Sequence, residues 1–97
     1  MRNINDLRQE IAAVDRALVD LLTVRGMLAY DLAYLKIESG VPMRDAIQAD
    51  SVVKRAVEMS RGPLDVTEIF RAITEQTVRL MEQQEPKKDI AKAGGLK

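Results

Sequence analysis

Residues 3–40 read NINDLRQEIAAVDRALVDLLTVRGMLAYDLAYLKIESG, with apolar side chains at Ile4, Leu7, Ile11, Val14, Leu18, Leu21, Leu28, Leu32 and Leu35. Steps of three, four and seven keep all nine on one face of a helix, so the stretch reads as a single long helix. Asn3 can cap its start with Asp6 in the first turn, and Ser39-Gly40 supplies a residue able to turn left-handed at its end. Pro42 then blocks continuation. At about 1.5 Å per residue this helix is roughly 50 Å long, whereas a compact chain of this size has a radius of gyration of about 12 to 13 Å. One protomer cannot wrap it.

Working outward, Asp45 followed by Gln48 has the form of a capping box, and Ala46, Ile47, Ala49, Val52, Val53, Ala56 and Val57 give a second helix ended by Gly62-Pro63. Asp65 with Glu68 repeats the box ahead of a third helix carrying Val66, Ile69, Phe70, Ile73, Thr77 and Leu80 and running to about Gln84. Residues 1–85 therefore form one helical domain, and residues 86–97, polar and Gly-containing, are expected to be a disordered tail. Joined by a short turn, helices two and three should lie antiparallel, each covering at most half of the first. The rest of its stripe calls for a second chain, so the fold class is all-α, a three-helix protomer in an intertwined homodimer.

Composition narrows the chemistry. Fifteen Lys and Arg balance fifteen Asp and Glu, which leaves no basic field to attract nucleic acid or an anionic membrane. Cys and His are absent, so thiolate nucleophiles, imidazole bases and most transition-metal sites go together, and neither a metal nor a cofactor is expected. No apolar run approaches the ~20 residues that span a bilayer, and the first residues lack a signal-peptide pattern, so the expected location is cytoplasmic.

The long stripe is interrupted once, at Arg25, where the heptad calls for an apolar residue. Arg8 and Lys36, 28 residues or four heptads apart, flank the same face. Such cations can snorkel from a helix flank, and Arg25 could pair with Asp15 or Glu75 across a dimer. In an antiparallel dimer, however, Arg8 of one chain approaches Arg25 and Lys36 of the other. The resulting pocket suits a small dicarboxylate, because guanidinium groups hold carboxylates bidentately.

Taken together, Leu7-Arg8-x-x-Ile11-x-x-x-Asp15, Leu21-Leu22-x-x-Arg25, Lys36 and Val41-Pro42-x-Arg44-Asp45 resemble the all-helical (AroQ-type) chorismate mutases from residue 4 to about 84. The resemblance implies an intertwined dimer with two active sites that rearrange chorismate to prephenate, on the route to phenylalanine and tyrosine. It further implies Arg8 and Arg25 on the two substrate carboxylates and Lys36 donating to the ether oxygen and neighbouring hydroxyl. Asp45 would lie at the ring hydroxyl through its backbone, and Thr77 takes the place of a serine at a carboxylate. Two positions depart from that pattern. Ala49 stands where the family usually has a glutamate for the ring hydroxyl, and Met81 where it has a glutamine or glutamate on the ether oxygen.

A [3,3] rearrangement needs no acid, base or nucleophile, so a protein accelerates it by holding the substrate folded and by stabilising charge on the ether oxygen. With Met81 in place, Lys36 and Arg25 would carry the catalytic burden. Two other readings stay open. One keeps the scaffold with another substrate, such as 4-amino-4-deoxychorismate in antibiotic biosynthesis, or isochorismate with loss of pyruvate. The other is a non-catalytic helical dimer or regulatory partner whose cations are structural.

Overall fold

The computed structural model describes residues 2–86, which form three helices: α1 (Ile4–Ser39), α2 (Ala46–Met59) and α3 (Thr67–Glu82). Among the described residues there is no strand, in keeping with the all-α expectation. Of the tail expected from residue 86, all but Pro86 lies outside the described residues.

The ends of α1 follow from local chemistry. Asn3 accepts from the Asp6 N–H at 2.8 Å, and the Asp6 carboxylate accepts from the Asn3 N–H, closing a reciprocal capping box. Gly40, at φ 69°, takes the left-handed conformation that lets the chain leave the helix without a Cβ penalty. Asp45 caps α2 by accepting from the Gln48 N–H at 3.1 Å. The start of α3 differs from expectation. Its cap position is Val66, with no side-chain cap, because Asp65 accepts from the Thr67 N–H at 3.0 Å, two residues on, and Glu68 pairs with Arg71 instead of reaching back. The Thr67 bond also holds the Asp65 carboxyl below its ordinary pKa.

α3 packs against α1 and α2 against α3, while α2 makes no close backbone approach to α1. The expectation that helices two and three would both cover the first is thus corrected, since the space between α1 and α2 is a cavity floored by α3. The buried core is small: Ala29, Ala33, Met43 and Met81, with Ile37 against them. The stripe on the first half of α1 is bare, with Ile4 68%, Ile11 60%, Val14 59% and Leu18 51% exposed. Accordingly, the radius of gyration is 18.7 Å, where a compact chain of this length would have about 12 Å. No helix among the described residues is long and apolar enough to cross a membrane.

Candidate active site

Each helix contributes one wall of the cavity at helical spacing. From α1 come Arg25, Leu28, Ala29, Leu32 and Lys36, which lie three, four, seven and eleven residues along one face. The α1–α2 connection adds Met43 and Asp45, and α2 adds Gln48, Ala49 and Val52. Thr74, Thr77, Val78 and Met81 of α3 form the floor. The cavity is open on one side and its volume is about 300 Å³, the lower end of what a small organic ligand occupies.

Two cations enter this largely apolar space, and the protein orients both. Arg25 Nη1 donates to Thr77 Oγ at 2.6 Å, and that hydroxyl spends its one proton on the Ile73 carbonyl at 2.6 Å. Thr77 is therefore an acceptor that aims Arg25. Lys36 Nζ donates to the Met43 carbonyl at 3.1 Å, leaving two of its three N–H donors for other partners. Glu75, one possible mate for Arg25, is engaged elsewhere: Arg44 and Arg79 hydrogen-bond it and depress its carboxyl to about 2.

Of the positions singled out in the sequence, Arg25, Lys36, Asp45, Ala49, Thr77 and Met81 all line this one cavity. One oxygen of the Asp45 carboxylate is engaged as the α2 cap, accepting from the Gln48 N–H. Met81 is 3% exposed and belongs to the core cluster as well as to the cavity floor. Arg8 is exposed and absent from the cavity, since the 17 residues separating it from Arg25 amount to about 25 Å of helix. Gln48 and Thr74 were not assigned from sequence. Both could have been found by register, Gln48 lying three residues beyond Asp45 and Thr74 three before Thr77. Among the described residues, no group of three or more His, Cys, Asp or Glu could hold a metal ion.

The cavity thus offers fixed positive charge against aliphatic and thioether walls. Such a site can bind and fold a small anion and stabilise charge that develops on it, because donors already held in place need little reorganisation during reaction. Searches of curated proteins and of solved structures returned no match. Comparison with family profiles matches chorismate mutase type II over residues 7–82, a span that takes in α1 from Leu7, all of α2 and α3, and every cavity residue. The chain belongs to the chorismate mutase type II family.

Proposed function

We propose that the protein catalyses the [3,3] rearrangement of chorismate to prephenate in the cavity between α1, α2 and α3. The observation that carries this reading is the convergence of Arg25 and Lys36, each already oriented by an acceptor, on one small apolar cavity. In the reaction the ether C–O bond breaks as a C–C bond forms between the enolpyruvyl methylene and the ring, with no atom gained or lost. Arg25 binds one carboxylate. Lys36 directs its free donors at the ether oxygen, where negative charge grows, and each such preorganised donor is worth roughly 3–4 kcal/mol in the transition state.

A second carboxylate needs a second cation, which Arg8 of another copy supplies in the antiparallel homodimer that the bare half of α1 calls for. Ile4, Leu7, Ile11, Val14, Leu18 and Leu21 are each 43–68% exposed. Covering what remains recovers about 1 kcal/mol apiece, taking ~1.5–3 kcal/mol for complete burial of an aliphatic side chain. The same pairing brings Arg8 toward the Arg25 end of the opposite chain.

Ala49 and Met81 favour a second reading, in which the scaffold serves a relative of chorismate. Both are apolar and line the cavity, and the family pattern has polar residues at these two positions, for the ring hydroxyl and the ether oxygen. Isochorismate and 4-amino-4-deoxychorismate differ from chorismate at the ring substituent. Turnover of the purified protein with these three compounds, side by side, tests both readings. Prephenate from chorismate at the highest kcat/KM supports the first, preference for either relative supports the second, and no product from any of the three sinks both.

A further inference from the structure

Within the Val41-Pro42-Met43-Arg44-Asp45 segment, Met43 and Asp45 line the cavity, and Arg44 between them does not. Its guanidinium straddles two carboxylates on α3. Nη1 and Nη2 donate to the two oxygens of Glu75 at 2.8 and 3.1 Å, and Nη2 and Nε reach Glu82 at 3.3 and 3.4 Å. Glu75 also accepts from Arg79 Nε at 3.1 Å. The two glutamates are seven residues apart, about two turns, and each directly follows a residue of the cavity floor, Thr74 or Met81.

The neighbours of Arg44 in the chain are both built into the site. Met43 is 4% exposed, packs with Ala29, Ala33 and Met81, and presents the carbonyl that holds Lys36. Asp45 caps α2. We propose that Arg44 is a positioning residue: by clamping the connection between α1 and α2 to α3, it fixes the Met43 carbonyl that aims the Lys36 ammonium into the cavity.

Stability is a poor account of this cluster, because Arg44 and its two glutamates are 39–51% exposed and single ion pairs at such sites contribute little. Geometry is a better one. A bidentate fork fixes direction as well as distance, and a second carboxylate removes the remaining swing. The clamp is also insensitive to pH in the neutral range, since its Glu75 carboxyl is held at about 2. Lys36 has a flexible stem, and without a fixed acceptor its ammonium would sample several rotamers. Supporting groups of this kind typically change activity about 10–100-fold while touching no substrate.

The kinetic consequence rests on the mutase reading, whereas the geometric consequence does not. The test compares Arg44→Ala, Arg44→Lys and the double variant Glu75→Gln/Glu82→Gln with the unmodified protein. For each, circular dichroism checks the fold, chorismate turnover gives kcat and KM, and peptide mass spectrometry follows acetylation of Lys36 by acetic anhydride. In folded Arg44→Ala, kcat should fall roughly ten-fold with KM within about two-fold, and Lys36 should acetylate several-fold faster. The double variant should reproduce this although Arg44 is retained, and Arg44→Lys should recover part of it. Unchanged Lys36 acetylation in folded variants would overturn the proposal, as would a rise in KM alone, which would place Arg44 on the ligand. If Arg44→Ala does not fold, the glutamine pair and Arg44→Lys decide the matter. Failure of the unmodified protein to turn over chorismate would count against the mutase reading, and the acetylation contrast would still decide the clamp.

Discussion

Met81→Gln inserts a donor where the cavity floor now presents a thioether. Met81 is 3% exposed and packs on Ala29, Ala33 and Met43 while lining the cavity. Glutamine has nearly the same length, so the packing loss is small, but an unpaired amide in such surroundings costs about 1–3 kcal/mol. The unliganded protein should therefore melt lower. On the reaction side, a full preorganised donor is worth roughly 3–4 kcal/mol, and with Lys36 proposed to serve the same oxygen the second donor would add less. A gain of about 1.4 kcal/mol already corresponds to ten-fold in rate. The new bond strengthens as the ether C–O bond breaks, so the increase belongs to kcat more than to KM. Disappearance of chorismate absorbance measures it, with Met81→Leu as the control that preserves packing and adds no donor. Unchanged or abolished turnover in a folded Met81→Gln protein would refute the placement of this residue at the ether oxygen, as would an equal gain in Met81→Leu.

The apolar stripe of α1 predicts a dimer without a stable folded monomer, so sedimentation at micromolar concentration should find no folded 10.9 kDa species, and finding one would refute the assembly. Arg8→Ala and Arg25→Ala should each remove most activity. Mixing the two under conditions of subunit exchange should restore part of it, because one intact site forms in the heterodimer; no recovery after proven exchange would exclude the shared site. Thr77→Val removes the acceptor of Arg25 and should raise KM about five- to ten-fold, the loss of roughly 1 kcal/mol for one hydrogen bond, whereas Thr77→Ser should stay near the original value in steady-state assays.

Much of this site is legible in the sequence because helices turn spacing into faces. Arg25 to Lys36 on α1 and Thr77 with Met81 on α3 are separated by three-, four- or seven-residue steps or their sums, and the same rule places Gln48 and Thr74. Asn3, Gly40 and Asp45 mark ends correctly, since each cap is a bond within three or four residues. Asp65 misleads for a local reason. Its side chain can satisfy an N–H two or three positions on, and in the structure it takes Thr67, which starts α3 one residue later than a box would. What spacing could not reveal are contacts between elements. The Arg44 fork onto Glu75 and Glu82 spans 31 and 38 residues, and no periodicity links its ends.

The two departures from the family pattern bear on different halves of the problem. Met81 sits on the floor beside the core, where, on the mutase reading, it would alter how charge on a breaking bond is met. Ala49 sits where the cavity adjoins a second cleft lined by Arg44, Asp45, Asp50 and Glu75, so on the same reading it would alter what the wall of α2 asks of a ring substituent. The carboxylate binding proposed for Arg25 and Arg8 would be common to chorismate, isochorismate and the amino analogue, and binding energy shared by all three cannot discriminate among them. On the proposed reading, selection would therefore come from the α2 wall, through Ala49 and Gln48, while the rate with whichever substrate is selected would be set by Lys36 on α1 and the residue at position 81 on α3. Substrate preference and catalytic strength should for that reason prove separable, altered by substitutions on different helices around one cavity.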